Sequence, residues 1–77
     1  MTSRELHAIR LQIDAIDEEV IDLLKKRFQL VKSLKPFKNT LTDVDREQEI
    51  LAKIDSPYIR DIYLAVFEAS KRILTSD

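Results

Sequence analysis

The first part of the chain, from Thr2 to about Leu34, carries apolar residues at alternating steps of three and four. This spacing is typical of an amphipathic helix with one apolar face. Thr2 and Glu5 form a capping-box pair at its start, and Pro36 lacks the N–H that would let the helix continue. The pattern predicts one long, unbroken helix. Its apolar face consists of Leu6, Ile9, Ile13, Ile16, Val20, Leu23, Leu30 and Leu34.

Two shorter helices are predicted after the first. Thr42 or Asp43 is a suitable N-cap for a second helix, which we expect to end near Ile54. The Ser56–Pro57 pair is typical of the N-cap and first turn of a third helix. We therefore expect an all-α fold with one long, one short and one medium helix, in a single domain over residues 1–77. The inner face of the third helix reads Ile59, Ile62, Tyr63, Val66, Phe67, Ile73 and Leu74.

The first helix is too long to be covered by the rest of so short a chain. About 33 helical residues extend about 50 Å at ~1.5 Å each. A compact chain of this length has a radius of gyration of only about 11 Å. We therefore expect a homodimer, an intertwined helical bundle in which two long helices pack together and exchange their flanking elements. The alternative is a shorter or kinked first helix in a monomeric three-helix bundle.

Composition excludes several classes of function. The chain has no Cys and no Gly, which excludes disulfides, thiolate metal sites and glycine-rich phosphate loops. Its net charge of -1 argues against nucleic-acid or membrane-surface binding driven by bulk charge. No apolar run approaches the roughly 20 residues of a membrane span. The N-terminus lacks the apolar segment of a signal peptide, so we expect a cytoplasmic protein.

Three polar residues interrupt the three apolar faces: Arg27, Glu47 and Ser70. A charge on an apolar face is costly to bury without a partner. Arg27 could pair with Glu47 in the core, with Ser70 bonded to them, as a purely structural cluster. Alternatively, the neighbouring cations Lys38 and Arg46 would complete a site for a small polyanion between helices. Lys38 follows Arg27 by three helical turns and would return to the same face if the helix continued.

Three segments together carry a resemblance to a known family. They are IRLQIDAID at residues 9–17, LLKKR at 23–27 and DVDRE at 43–47. With a serine near the end of the third helix, Ser70, their order and spacing resemble the all-helical (AroQ) class of chorismate mutases. The likeness covers almost the whole chain. It implies an intertwined homodimer that converts chorismate, a small dicarboxylate, to prephenate for phenylalanine and tyrosine biosynthesis, with no metal or other cofactor.

The resemblance implies a role for two arginines of the long helix and for the lysine after it. Arg10 matches the arginine that reaches into the neighbouring subunit's site and grips a substrate carboxylate. Arg27 matches the arginine that holds the other carboxylate within its own subunit. Lys38 matches the lysine that donates to the ether oxygen. From the residues alone, Arg10 would be a surface residue paired with Asp14 at i,i+4 spacing.

The remaining matches lie in the second and third helices. Asp43, Arg46 and Glu47 match the second-helix set, in which the glutamate receives the substrate's ring hydroxyl. Ser70 matches the serine near the ring carboxylate.

The chain also departs from the family at Leu74. The family usually has glutamine or glutamate there, as the second donor to the ether oxygen. Leucine cannot donate, so we expect weak activity unless Thr75, Arg72 or a water molecule substitutes.

The connection before the second helix is a further departure. The chain between Lys38 and Asp43 is shorter than is usual in the family, and Pro36 lies where the long helix commonly continues. Lys35 therefore competes with Lys38 as the lysine of the site.

Two other functions remain open. The first is isochorismate-pyruvate lyase, because residues 31–38 somewhat resemble such lyases; Glu47 favours the mutase. The second is a regulatory helical dimer that binds an aromatic-pathway ligand without catalysis, or a mutase activated by a partner enzyme. Leu74 and the short connection favour this second alternative.

Overall fold

The computed structural model describes residues 2–37 and 44–75 of the chain. It contains α1 (Ser3–Lys32), α2 (Val44–Ala52) and α3 (Pro57–Thr75). Over these described residues there is no strand, so the predicted all-α class is confirmed, as is the order of a long, a short and a medium helix. None of these helices, as far as the structure describes them, is both long and apolar enough to cross a membrane.

The capping box predicted at the start of α1 is present. Thr2 is the N-cap, and its hydroxyl accepts a hydrogen bond from the Glu5 backbone N–H at 3.1 Å. The Glu5 carboxylate accepts in return from the Thr2 N–H at 3.3 Å. Two backbone N–H groups that have no partner within the helix are thereby satisfied, which fixes where α1 begins.

The end of α1 lies two residues before the predicted one, at Lys32. Beyond it the Leu34 N–H donates to the Val31 carbonyl at 2.9 Å, and the Lys35 N–H donates to the Lys32 carbonyl at 3.2 Å. These bonds span three residues rather than four, so the chain tightens into turns. The cause is Pro36, which disfavours helical geometry in the residue before it.

The start of α3 also follows its predicted cap. Ser56 precedes Pro57, and the Ser56 hydroxyl accepts from the Ile59 N–H at 3.4 Å. α2 ends at Ala52, two residues before the predicted end near Ile54. The Ile54 N–H donates to the Leu51 carbonyl, three residues earlier, so the chain there forms a turn and not a further α-helical turn. The caps proposed for the start of α2, Thr42 and Asp43, lie outside the described residues.

α3 is the element against which the other two helices pack. The two buried residues of the described chain, Val31 of α1 and Phe67 of α3, are 8% and 4% exposed. The ring of Tyr63 meets that of Phe67 edge to face, with centroids 5.9 Å apart. The core therefore lies between α3 and the C-terminal half of α1, and it is small.

The N-terminal half of α1 extends beyond this core. Its apolar residues from Leu6 to Val20 remain between 40% and 58% exposed. The protomer measures 53 × 25 × 15 Å, and its radius of gyration is 16.3 Å, well above the compact value of about 11 Å. Because α1 is continuous, the alternative of a shortened first helix is wrong. The predicted dimer would cover this exposed face, and it stays a prediction.

We expect Phe67→Ala to lower the free energy of unfolding by about 3 kcal/mol, since it leaves a cavity at the most buried position. Tyr58→Ala is the matched control, because Tyr58 is 77% exposed and its replacement should change stability by less than about 0.5 kcal/mol. Urea unfolding followed by circular dichroism measures both. Equal effects of the two substitutions would contradict the placement of the core.

Candidate active site

Arg27 and Ser70 meet where α1 packs against α3. The guanidinium Nη1 of Arg27 donates to the Ser70 hydroxyl oxygen at 2.5 Å. That hydroxyl in turn donates to the Val66 carbonyl, one turn earlier in α3, at 2.8 Å. Both side chains are half-buried. Ser70 therefore provides an acceptor for one of the Arg27 N–H groups where these two apolar faces pack together.

A cavity of about 80 Å³ lies beside this contact. Apolar side chains, among them Val31, Ile50 and Phe67, form part of its wall. All three helices, or the turns that follow them, contribute to it. Its remaining lining includes Arg27, Arg46, Glu47, Ser70, Lys71 and Leu74. The polar residues that the sequence placed on separate faces are thus brought to one concave site.

Glu47 pairs with a residue of α3 rather than with Arg27. Its carboxylate Oε1 lies 3.5 Å from the Lys71 Nζ, and the Glu47 side chain is 24% exposed. The hypothesis of a purely structural cluster predicted a contact between Arg27 and Ser70, which is present. It also predicted an Arg27–Glu47 ion pair, and this prediction is wrong. The reason is helix placement: α2 contacts α3, so the nearest cation to Glu47 belongs to α3.

The structure places Arg10 far from the cavity of its own chain. Arg10 precedes Arg27 by 17 residues along α1, a separation of about 25 Å. It is exposed, and in the described part of the chain it forms no ion pair with Asp14. The surface pairing considered for it is therefore absent, and any role in a site requires a neighbouring molecule.

Two of the predicted site residues, Lys38 and Asp43, lie outside the described residues. Lys35, the competing lysine, is half-buried in the turn after α1 and does not line the cavity.

Leu74, the residue that matches the family's second donor position, lines the cavity. Thr75 and Arg72, the residues considered as substitutes for the missing donor, do not line the cavity. The Thr75 hydroxyl donates to the Lys71 carbonyl at 2.9 Å, within its own helix. Arg72 is exposed and does not line the cavity. The wall at Leu74 is therefore apolar.

Lys71 is the site residue that sequence reasoning missed. It follows Phe67 by four residues and precedes Leu74 by three, so it shares their side of α3. This spacing was visible in the sequence, but a lysine beside a serine in a helix is typical of a solvent-exposed face. Only the docking of α2 shows that this side of α3 faces Glu47.

The charges at the cavity favour an anion. Arg27, Arg46 and Lys71 are cationic, and Glu47 is the carboxylate among the described lining residues, which leaves a positive excess of two charges. Guanidinium groups bind carboxylates through two parallel hydrogen bonds, and partial burial strengthens the attraction. A small dicarboxylate matches this excess.

A larger apolar groove, of about 430 Å³, adjoins the cavity between α1 and α3. Arg27 and Ser70 line both concavities. The rest of the groove includes Leu24, Phe28, Ile62, Val66 and Ile73.

Comparison with known proteins agrees with this arrangement. The family model of chorismate mutase type II matches residues 9–74. No curated protein and no solved structure gave a match. Because the match covers most of the chain and the helices have the all-α arrangement, the chain belongs to the type II, or AroQ, chorismate mutase family.

We expect Ser70→Ala to lower the free energy of unfolding by about 1.5 kcal/mol, because it removes a hydrogen bond to a charged group and leaves Arg27 without its acceptor. Ser33→Ala is the matched control. The Ser33 hydroxyl makes the same bond to the carbonyl four residues earlier, at 3.0 Å, but is exposed. Urea unfolding compares the two variants, and a larger loss for Ser33→Ala would reject the Arg27–Ser70 contact.

Proposed function

We propose that this protein is a chorismate mutase that converts chorismate to prephenate for phenylalanine and tyrosine biosynthesis. The observation that carries the proposal is the meeting of Arg27, Arg46, Glu47 and Ser70 at one cavity. These are the residues that match the family's substrate-binding set, in a chain matched by the family over residues 9–74.

The chemistry suits this set of side chains. The reaction is a unimolecular rearrangement in which one carbon–oxygen bond breaks as a carbon–carbon bond forms. It requires no nucleophile, metal or other cofactor. The protein contributes by holding a flexible dicarboxylate in its compact reactive shape and by stabilising the charge that develops on the ether oxygen.

Each residue has a proposed task. Arg27, held by its hydrogen bond to Ser70, binds one substrate carboxylate, and Arg46 adds positive charge from α2. The Glu47 carboxylate accepts a hydrogen bond from the ring hydroxyl. Lys38 donates to the ether oxygen, where negative charge grows as the bond stretches. Asp43 belongs with the second-helix group that surrounds the substrate.

We propose that the active form is a homodimer with shared sites. The exposed apolar face on the N-terminal half of α1 is the surface such a dimer would bury, and the apolar groove between α1 and α3 is the surface that would receive it. The groove leads to Arg27 and Ser70. A second copy of α1 packed there would bring Arg10 of the partner subunit towards the other carboxylate.

Leu74 supports a second candidate function. The protein would then be a mutase that is weak alone and is activated by a partner enzyme of the aromatic pathway, or a regulatory dimer that binds an aromatic-pathway ligand without catalysis. The apolar wall at Leu74 provides no second donor to the ether oxygen. Isochorismate-pyruvate lyase is the lesser alternative, because Glu47 lies at the cavity as the mutase requires.

We expect the purified protein to consume chorismate. The decrease in the ultraviolet absorbance of chorismate measures this reaction. Arg27→Ala should lower kcat/KM by about 10²–10³-fold, since it removes a preorganised charged donor. Arg60→Ala removes an exposed arginine that lines neither concavity and should leave kcat/KM unchanged. Turnover of isochorismate instead would favour the lyase. No turnover of either compound would leave the regulatory alternative.

We expect Arg10→Ala and Arg27→Ala protomers to restore activity when mixed, although each variant alone is impaired. A heterodimer of the two would contain one site with both arginines intact, if they come from different chains. Sedimentation should show a dimer at micromolar concentration. A monomer, or mixing without recovery, would reject the shared site.

A further inference from the structure

We propose that Lys71 is a positioning residue of the cavity, which holds the Glu47 carboxylate in place as a hydrogen-bond acceptor for the bound ligand. The chemical identity of the ligand rests on the proposed function. The contact itself does not.

The geometry joins two helices through this pair. The Lys71 Nζ of α3 lies 3.5 Å from the Glu47 Oε1 of α2. The side chains are 37% and 24% exposed, so water screens the pair less than it screens a fully exposed one. Both residues line the cavity. The pair is therefore part of the site and also connects α2 to α3.

A second carboxylate, Glu68, lies 3.9 Å from the Lys71 Nζ but does not compete equally. Its side chain is 67% exposed, and it does not line the cavity. The shorter and more shielded contact is the one to Glu47, so the ammonium group is held mainly on the side of the site.

The need for Lys71 arises when a dianion binds. Arg27 faces the cavity from α1 and Arg46 from α2, and the ligand's carboxylates attract both. The same ligand repels the Glu47 carboxylate, because both are negatively charged. The Lys71 ammonium group of α3, 3.5 Å from the Glu47 Oε1, offsets this repulsion and holds the carboxylate where it can accept from a ligand hydroxyl group.

A double-mutant cycle tests whether Lys71 acts through Glu47. We expect Lys71→Met to lower kcat/KM for chorismate about tenfold, and to have little further effect in a Glu47→Gln background. Lys71→Arg should retain most activity because it keeps the charge. If Lys71→Met lowers kcat/KM as much in the Glu47→Gln background, Lys71 acts on the ligand directly and the proposal is wrong.

Two control variants isolate the contact from net charge. Arg72→Met removes one positive charge from the adjacent, exposed position of α3, and Glu68→Gln removes the other carboxylate near Lys71. Both should leave kcat/KM within about twofold of the wild type. An effect of Arg72→Met equal to that of Lys71→Met would overturn the proposal.

A measurement on the ligand-free protein separates this proposal from the proposed function. At a fixed neutral pH, the ¹³C chemical shift of the Glu47 carboxyl carbon should change in Lys71→Met, because the carboxylate loses the ammonium group that lies 3.5 Å away. Arg72→Met should leave this chemical shift unchanged. An unchanged Glu47 resonance in Lys71→Met would overturn the proposal even in an active enzyme. Loss of the proposed function alone would leave the NMR result standing.

Discussion

The positive charge of Arg27 is the constraint on which the site depends. It interrupts the face of α1 that packs against α3, where a guanidinium must find acceptors for its donors. The Ser70 hydroxyl oxygen accepts one hydrogen bond from Arg27, at 2.5 Å, and its own O–H donates to the Val66 carbonyl. A hydroxyl is neutral, however, and within the described residues no ion pair includes Arg27. The charge is therefore positioned by the fold but not neutralised by it, which is the condition for binding an anion.

The length of α1 gives the protomer two different halves. Its C-terminal half packs with α3 and forms the small core around Val31 and Phe67. Its N-terminal half carries the same apolar periodicity but remains exposed. Burial of apolar area is the main favourable contribution to folding, and a chain of this size has little of it. The proposed dimer would therefore contribute both to stability and to the site, because the exposed face and Arg10 lie on the same segment.

The contact of α2 with α3 determines which cation lies beside Glu47 at the cavity. Glu47 would be an unfavourable group beside a dicarboxylate unless a cation held it, and Lys71 lies at 3.5 Å. The cavity retains a positive excess while it keeps one acceptor. Leu74 makes the opposite contribution, because it closes the wall with a side chain that neither donates nor accepts. The described lining therefore combines an excess of positive charge and one carboxylate with an apolar wall at Leu74.

The sequence by itself determined the local structure and showed which polar residues interrupt the apolar faces. Apolar spacing, the Thr2–Glu5 capping box and the Ser56 cap are short-range features. They specify the two ends of α1, the end of α2 and the start of α3 to within two residues. Arg27 and Ser70 were recognisable because each interrupts an apolar face. Only the tertiary structure decided which charges meet: Glu47 pairs with Lys71 rather than Arg27. Helical periodicity specifies the face on which a side chain lies, whereas the partner of that face depends on how separate helices pack in space.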